Sequence, residues 1–451
     1  MRWLSWSVWF AVSAWLTGCG SASDCANSIP LEPFAEESSL SARPRVIARK
    51  LTRSTPAVYT LAMQVGDPAK PQRLPVVADT GSAALVLQGK DCEGCRAKSR
   101  YSPSQLATAL PGATRMVYGS GRADTQPVRD RVAWPGTNAA FPMEFNVMTK
   151  SERLPSVLGL AYANLLTPTR GKKDPFLVIP AKAGIQAEMM DSTFGRRDPF
   201  ARTFLGELFN HTHLPRRFAL LLCGLCPGSR LIVGDETATG RIRAADIRQW
   251  TPVVRQTYYA VPAQSLWWTL GDKRGKLGEF PDARLSDGYH DVTIVDSGST
   301  FLVLPRSMAG KLARLLRRSA TENGMVLPEN FWDIEPTNRA ATARRQRLDL
   351  SKFPTLELVL AGGDSVGAAV AARELGDSDD NGTITLRIKP RHYLQEMKPG
   401  KRAFAVNAGT SLAILGLPLL ESYLTVFDLQ NHAVGFASNE GLCCPRGAQR
   451  L

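Results

Sequence analysis

Apolar and polar positions alternate along most of this chain, which predicts many short β-strands. Runs rich in Val, Ile, Leu, Tyr and Phe are separated by Gly, Pro, Asn and Asp. A period of two places one face of each strand against a core, and the Gly and Pro residues between runs predict turns. Such runs include residues 58–65, 74–78, 217–222, 356–360 and 383–388.

Helical periodicity predicts helices over residues 204–210 and 307–319. In the longer helix, apolar residues recur on one face, at Met308, Leu312, Leu315 and Leu316. Cations lie three or four positions apart on another face, at Lys311, Arg314, Arg317 and Arg318. We expect this basic face to be solvated rather than to bind nucleic acid.

Two apolar strands end in nearly the same polar motif. The copies are Asp79-Thr80-Gly81-Ser82 and Asp296-Ser297-Gly298-Ser299. Glycine permits a sharp turn after each strand, and the neighbouring hydroxyls can hydrogen-bond the carboxylate. If the loops face each other, the two carboxyls share one proton, because like charges that close cannot both ionise. Such a pair supplies one base and one acid for water activation and amine protonation.

The repeated motif resembles the active-site sequences of the pepsin-like family of bilobed aspartic peptidases, and the resemblance runs from about Val58 to about Ala437. It implies a mostly β fold with two six-stranded-barrel-like lobes, an interlobe sheet and few short helices. It also implies aspartic endopeptidase activity with an acidic optimum, with Asp79 and Asp296 as catalytic residues and no cofactor or metal.

The resemblance assigns supporting roles around the two aspartates. Ser82 and Ser299 are expected to hydrogen-bond the outer carboxylate oxygens. Thr80 and Ser297 are expected to cross-link the two loops. The remaining residues, Gly81 and Gly298, are expected to contact the substrate together with Ser299.

A second landmark, Tyr118-Gly119-Ser120-Gly121, resembles the flap of the family. Tyr118 would cap the bound peptide, and the backbone of Gly119 and Ser120 would hydrogen-bond it as an added strand. An ordinary β-turn is the alternative. The family usually places a Trp that braces the flap tyrosine where this chain has Val86, which puts flap rigidity in doubt.

The lobes are predicted to cover residues 56–237 and 238–451. Apolar segments 156–162 and 412–416 match the family segments that pack behind the catalytic loops, and 423–437 matches its closing hairpin. The adjacent Tyr258 and Tyr259 are compatible with either a cleft or a core position.

Residues 171–200 depart from the family pattern. They look like a translated bacterial intergenic repeat, and an Asp-Pro-Phe triplet occurs at both ends. We expect a dispensable insertion in a surface loop; a role at the substrate edge or toward a partner is the alternative.

The first 18 residues have the composition of a secretory leader, and Leu16-Thr17-Gly18-Cys19 resembles a bacterial lipobox. The resemblance implies cleavage before Cys19 and lipidation with palmitate on that residue. Gly20 after it favours the outer membrane, in the bacterial cell envelope and facing the periplasm or the surface. A plain leader or a short apolar anchor is the alternative.

Residues 19–55 are polar and become basic toward Arg53. Two interpretations are open, a flexible tether from the lipid and a short inhibitory prosegment whose cations cover the acidic pair. The absence of strong helical periodicity favours the tether.

Eight cysteines in an exported chain indicate disulfides. Cys92 and Cys95, like Cys223 and Cys226, have the spacing of a zinc or redox motif, but small local disulfides are favoured over zinc. Family resemblance implies a Cys92–Cys95 disulfide. The partners of the other cysteines stay open, with Cys25 paired to one of the C-terminal cysteines (Cys443 or Cys444) as a hypothesis.

The net charge of +14 does not indicate nucleic-acid binding, because the cations are mostly scattered and no binding motif accompanies them. His211 and His213 lack a third ligand at metal spacing. We therefore expect a monomeric, membrane-anchored peptidase acting on peptides or proteins. The rival is a catalytically silent pepsin-fold surface binder or inhibitor; both aspartates argue against it, and Val86 and the insertion argue for it.

Overall fold

The chain is described from a computed structural model. The described residues are 45–54, 58–119, 121–134, 140–152, 154–166, 202–282, 292–335, 342–345, 348–362, 382–409 and 412–443. All of them belong to one compact unit, Phe34–Leu451.

The first half of the described chain consists of strands and one short helix. The strands are β1 (Val46–Lys50), β2 (Thr52–Ser54), β3 (Val58–Val65), β4 (Gln72–Asp79), β5 (Leu85–Glu93), β6 (Thr108–Ala109), β7 (Thr114–Tyr118), β8 (Gly121–Ala133), β9 (Ala140–Ser151), β10 (Val157–Gly159), β11 (Arg217–Leu221) and β12 (Arg230–Gly234). Helix α1 (Phe204–Thr212) covers the segment predicted to be helical.

The second half is again mainly β. Its strands are β13 (Ile247–Pro252), β14 (Arg255–Gln256), β15 (Tyr259–Val261), β16 (Ala263–Leu270), β17 (Lys273–Glu279), β18 (Val292–Val295), β19 (Leu302–Pro305), β20 (Ala343–Arg344), β21 (Thr355–Ala361), β22 (Thr383–Ile388), β23 (Leu394–Lys398), β24 (Lys401–Phe404), β25 (Val406–Gly409), β26 (Leu412–Leu415), β27 (Tyr423–Asp428) and β28 (Ala433–Ser438). Its helices are α2 (Arg306–Glu322), α3 (Pro390–Tyr393) and α4 (Leu417–Leu420).

Short 3-10 turns complete the described helical structure, at Ala163–Leu166, Glu236–Thr239, Ala244–Asp246, Glu329–Trp332 and Leu350–Lys352. The predicted fold class, mostly β with few short helices, is confirmed.

One six-stranded sheet joins the two halves, in the order β1-β12-β11-β27-β28-β13. The halves meet where β11 pairs antiparallel with β27, with Ala219 opposite Val426. Both residues are fully buried, so this sheet carries part of the core. It is the interlobe sheet that the resemblance implied.

Each aspartate strand is central in the sheet of its own half. In the first half, β4 lies between β3 and β10 in the order β2-β3-β4-β10-β5-β9-β8-β6, and β7 pairs with β8. In the second half, β18 lies between β15 and β26 in the order β14-β15-β18-β26-β19-β25. Smaller sheets, β17-β16-β21-β22 and β20-β24-β23, complete the second half. A buried central strand is a rigid support for a residue at its end.

Helix α2 has the predicted two faces. Met308, Leu312 and Leu316 are buried, whereas the cations Lys311, Arg314, Arg317 and Arg318 are exposed. Leu315, expected in the core, is half-buried. No helix of the described residues combines the length and the apolar content that crossing a bilayer requires.

The tether interpretation is wrong for residues 46–54. Strand β1 pairs with β12 at the edge of the interlobe sheet, and β2 pairs with β3. Arg53 donates to Glu421 at 3.0 Å, with 4% and 6% of the two side chains exposed. The polar composition of residues 19–55 concealed this segment, although Ile47 and Leu51 are buried in the core. Residues 19–44, including Cys19, lie outside the described residues.

Two described disulfides differ in how well the sequence predicted them. Cys92 and Cys95 form the expected local disulfide. Cys223 pairs with Cys443 across 220 positions, so the local-disulfide prediction is wrong for that residue. Cys226 is also disulfide-bonded. Cys25 and Cys444 lie outside the described residues, as does the insertion at 171–200.

Candidate active site

The Asp79 loop is held from behind by the segment that follows β10. This strand pairs parallel with β4, which places Gly159 opposite Asp79. A side chain at Gly159 would collide with the backbone of Ala83, so glycine is required there. Leu160 N–H donates to the carbonyl of Asp79, and Ala161 N–H to that of Ser82, both at 2.8 Å.

The Asp296 loop has the same support in the second half. Strand β26 pairs parallel with β18, with Leu415 opposite Val295. Asp296 N–H donates to the Leu415 carbonyl at 3.2 Å, and Leu417 N–H donates to that of Ser299 at 3.0 Å. The chain thus builds one loop design twice.

Hydroxyl groups of Thr80 and Ser297 join the two loops. Thr80 N–H donates to Ser297 Oγ at 3.0 Å, and Ser297 N–H donates to Thr80 Oγ1 at 2.9 Å. Each hydroxyl then donates to a carbonyl of the opposite strand, Thr80 to Val295 at 2.9 Å and Ser297 to Ala78 at 2.8 Å. All of these groups are buried, so water does not compete with the bonds.

The cross-linked loops bring the two carboxyl groups face to face. A methyl group at Gly81 would lie 2.6 Å from Asp296 Oδ1. A methyl group at Gly298 would overlap Asp79 Oδ1 in the same way. Each glycine therefore lies against the other half's carboxylate, and the two side chains hydrogen-bond each other.

The donors to the two carboxylates are unequal. Asp79 accepts from Gly81 N–H at 2.8 Å and from the Ser82 hydroxyl at 2.5 Å. Asp296 accepts from Gly298 N–H at 2.8 Å. The predicted hydroxyl contact of Ser299 with Asp296 is wrong, since Ser299 Oγ lies 3.4 Å from the Phe301 carbonyl, its acceptor. Only the backbone N–H of Ser299 serves the carboxylate.

This asymmetry separates the two acids. Burial raises the pKa of Asp296 well above its usual range, and the charge of Asp79 raises it further. Burial also raises the pKa of Asp79, but the bonds from Ser82 and Gly81 oppose that rise by stabilising the carboxylate. The Ser82 hydroxyl, which has no counterpart on Asp296, stabilises the ionised form of Asp79.

The flap hairpin reaches the aspartates through Tyr118. Strands β7 and β8 pair up to Tyr118 and Gly121, which leaves Gly119 in the turn. Ser120 lies outside the described residues. Burial raises the pKa of Tyr118, and the nearby charge of Asp79 raises it further. The phenol is thus oriented toward the acid pair.

Val86, at the position where the family usually has an indole, is fully buried. It pairs with Asn146 on β9 and with Val157 on β10. An aliphatic side chain offers no N–H to the flap tyrosine. The described hydrogen bond of the Tyr118 hydroxyl is instead a long one, to Met116 Sδ at 4.0 Å.

Within the described residues, no cluster of three or more His, Cys, Asp or Glu side chains has the geometry to hold a metal ion. His211 instead stacks on Phe141, with ring centroids 4.8 Å apart, and its Nδ1 lies 2.8 Å from the Glu207 carbonyl.

Sequence reasoning left one buried residue of the site unassigned. Tyr259 is 1% exposed, and its hydroxyl donates to the Leu160 carbonyl at 2.7 Å. A cleft or core position was open from the sequence, and the structure places it in the core behind the Asp79 loop. The signal that was missed is its register: the next residue, Ala260, pairs with Ile294 on the Asp296 strand.

Comparison with known proteins agrees with this geometry. The chain matches the family described as eukaryotic aspartyl protease over residues 58–186 and 244–439. A beta-secretase of Strongylocentrotus purpuratus is 21% identical over 426 residues, covering 87% of this chain and 68% of the relative. A gastricsin of Macaca fuscata fuscata is 24% identical over 405 residues, covering 85% of this chain and 84% of the relative. Aspartic protease 6 of Caenorhabditis elegans is 23% identical over 381 residues, covering 80% and 77%.

The family match covers well over half of the chain and includes both aspartate motifs and the flap. The stretch between its two matched segments, residues 187–243, contains the later part of the predicted insertion, residues 187–200. The chain belongs to the pepsin-like family of aspartyl proteases and is an aspartic endopeptidase, a hydrolase of peptide bonds.

Proposed function

We propose that Asp79 and Asp296 hydrolyse peptide bonds by activating one water between them. The observation that carries this proposal is the reciprocal contact of each motif glycine with the opposite carboxylate. Those contacts keep the two carboxyl groups close together, and a close pair suits one shared proton and one bound water. No covalent intermediate is needed, since the pair supplies both a base and an acid.

Asp79 acts as the base and Asp296 as the acid. Asp79 takes a proton from the water while the water oxygen attacks the peptide carbonyl carbon. Asp296 protonates the carbonyl oxygen. The resulting diol returns one hydroxyl proton to Asp296, Asp79 protonates the nitrogen, and the carbon–nitrogen bond breaks. The pair then regains its starting protonation. The donors Ser82 and Gly81, which favour the ionised form of Asp79, support this assignment.

An acidic optimum follows from the proton that the pair must retain. Turnover falls as rising pH removes that proton, and falls again when low pH protonates both acids. Because burial raises the pKa values of both aspartates, the pair keeps its one proton up to a higher pH than exposed carboxyl groups would. The optimum is therefore in the weakly acidic range.

The substrate binds as an extended strand beneath the flap. Tyr118, Gly119 and Ser120 cover it from one side, and Gly298 and Ser299 contact it from the other. The exposed backbone of a hairpin tip and of a loop suits main-chain recognition, which is tolerant of sequence. We propose peptides and proteins as substrates and a monomer as the active form.

The enzyme works at a membrane through a lipid on Cys19, in the bacterial cell envelope at the outer membrane. The lipobox-like Leu16-Thr17-Gly18-Cys19 supports this placement. Labelling with radioactive palmitate tests it. Wild type should be labelled and Cys19→Ala should not, and equal labelling of both would exclude the anchor.

The catalytic proposal is tested by digesting denatured haemoglobin from about pH 3 to about pH 7, with and without pepstatin. Wild type should cut at acid pH, pepstatin should stop it, and Asp79→Ala should be inactive while folded. A folded, inactive wild type would instead favour the silent surface binder, a function that the protease relatives do not favour.

A further inference from the structure

Two buried tyrosines occupy equivalent positions in the two halves. Tyr59 precedes Thr60, which pairs with Val77 on the Asp79 strand. Tyr259 precedes Ala260, which pairs with Ile294 on the Asp296 strand. Asp79 lies two positions after Val77, and Asp296 lies two positions after Ile294. The tyrosines thus stand at the same register beside the two catalytic strands, and each is 1% exposed.

Tyr259 crosses from the second half to the Asp79 loop. Its hydroxyl donates to the Leu160 carbonyl at 2.7 Å. The N–H of the same Leu160 donates to the Asp79 carbonyl at 2.8 Å. Rings of Phe218 and Phe427 in the interlobe sheet pack on Tyr259, with centroids 6.0 and 4.5 Å away. The phenol therefore has little freedom to move.

Tyr59 makes the opposite crossing. Its hydroxyl donates to Glu421 Oε1 at 2.6 Å and accepts from Gly224 N–H at 2.9 Å. Glu421 ends helix α4, where its N–H donates to the Leu417 carbonyl at 2.8 Å. Leu417 N–H holds the Ser299 carbonyl of the Asp296 loop. Each half thus sends a phenol to the segment behind the other half's aspartate.

We propose that Tyr259 and Tyr59 are positioning residues that set the separation of the two catalytic carboxyl groups. The hydroxyl bonds between Thr80 and Ser297 fix the loops at their tips, and the tyrosines fix them from behind. Removing the Tyr259 hydroxyl leaves the buried Leu160 carbonyl without its bond, so that segment shifts to find another donor. The Asp79 loop moves with it.

A wider separation weakens the coupling of the two acids. Coupled carboxyls titrate in two steps, and the difference between the two apparent pKa values grows as the carboxyl groups come closer together. Loss of a tyrosine hydroxyl should therefore bring the two apparent pKa values together. This consequence concerns the acid pair itself, whereas its effect on turnover rests on the proposed function.

The test is carbon NMR titration of full-length protein labelled at the aspartate carboxyl, in wild type, Tyr259→Phe and Tyr59→Phe. Signals of the pair are assigned with Asp79→Asn and Asp296→Asn. Tyr393→Phe is the matched control, because Tyr393 is equally buried and donates to a backbone carbonyl, that of Pro354, at 2.5 Å. It loses the same kind of bond, but to a carbonyl outside the segments that hydrogen-bond the two aspartate loops.

We expect a narrower pKa gap in Tyr259→Phe and Tyr59→Phe and the wild-type gap in Tyr393→Phe. With haemoglobin peptides, kcat of Tyr259→Phe should fall about 5- to 10-fold, the scale of one buried hydrogen bond, with KM nearly unchanged. Its bell-shaped pH profile should narrow, which a loss of stability alone would not cause.

The titration separates failure of this inference from failure of the proposed function. A wild-type gap in Tyr259→Phe overturns the positioning role, whatever the activity. A narrowed gap in Tyr259→Phe, together with a folded wild type that cuts no peptide, keeps the positioning role and rejects the peptidase. A gap narrowed equally in Tyr393→Phe also overturns the role, since the effect would then be general.

Discussion

Thr80 and Ser297 each donate a backbone N–H to the other's hydroxyl oxygen, at 3.0 and 2.9 Å, across the interface between the two halves. These residues are 217 positions apart in sequence. Both are buried, with 0% and 1% exposed. The register of the two aspartates therefore depends on four hydrogen bonds that involve two hydroxyl groups.

Thr80→Val retains the side-chain shape and removes two of those bonds. The Ser297 N–H and the Val295 carbonyl are left buried without their partner. We expect the free energy of unfolding to fall by about 1–3 kcal/mol. The rise in the activation free energy of kcat should be at least as large. Urea unfolding and peptide kinetics measure the two effects.

Thr239→Val is the control for that change. Thr239 is also buried, and its hydroxyl donates to the Glu236 carbonyl at 2.8 Å, away from the aspartates. It should lose stability while retaining kcat. Equal kcat in both variants would show that the loop cross-link does not position the acid pair.

Gly298→Ala tests the contact between each glycine and the opposite carboxylate. The added methyl would overlap Asp79 Oδ1, so the two acids cannot retain their separation. Activity should fall by more than about 100-fold in a protein that still folds, since a small misplacement at the reacting groups has a large effect on rate.

Gly310→Ala provides the comparison for that substitution. Gly310 lies within helix α2, where a methyl would meet only the flexible end of Arg314, at 3.4 Å. Alanine is the better helix former, so this variant should be active and slightly more stable. An active Gly298→Ala enzyme would contradict the described gap between the acids.

His392 should make the fold less stable as pH falls. Burial lowers its pKa from 6.5 to about 3, and the charges of Arg391, Lys389 and Arg402 contribute. The unfolded chain gains a proton near pH 6.5 that the folded state gains only near pH 3. Between these values, falling pH removes stability by up to about 1.4 kcal/mol per unit.

The measurement is Tm against pH from about 7 to about 3. His392→Gln should flatten the curve, and His211→Gln, which alters an exposed histidine, should not. Parallel curves for wild type and His392→Gln would show that this imidazole does not set the acid limit.

Arg53 should contribute more to stability than other cations of the N-terminal segment. Its partner Glu421 also accepts from Tyr59, and Gln395 donates to the same carboxylate at 2.8 Å. Breaking a buried pair from one side typically costs about 3–5 kcal/mol, so Arg53→Met should be strongly destabilised. Arg45 is 74% exposed and pairs with Asp235, so Arg45→Met should change the unfolding free energy by less than about 1 kcal/mol.

The same contacts bear on maturation. Removing residues 46–54 would strip an edge strand and a buried ion pair from the fold. We expect N-terminal sequencing of the acid-incubated, active enzyme to find Arg53 retained. An active form that starts after Arg53 would restore the prosegment interpretation.

The sequence predicted what local patterns control. Helix α2 follows from its apolar spacing, and both aspartate loops follow from a β-branched strand that ends at Asp and Gly. The family resemblance supplied the Thr80–Ser297 cross-link, but other contacts between distant segments were not predicted. The Cys223–Cys443 disulfide, the burial of Arg53 and the crossing of Tyr259 all depend on which segments meet, and local composition does not encode that.

Ser299 shows the same limit at the scale of one side chain. Its motif is nearly that of Ser82, yet only Ser82 bonds its aspartate, because Ser299 Oγ lies near the Phe301 carbonyl instead. A repeated motif predicts a repeated backbone, whereas hydroxyl rotamers depend on neighbours that differ between the halves.

The most direct measurement of the central claim is kcat for one defined peptide with wild type, Asp79→Asn and Asp296→Asn at acid pH. These variants retain side-chain size and remove one carboxyl each. Wild type should turn over, and both folded variants should lose more than about 1,000-fold, since neither acid alone supplies both base and acid. A variant that retains activity within about 10-fold of wild type would contradict hydrolysis by a shared carboxyl pair.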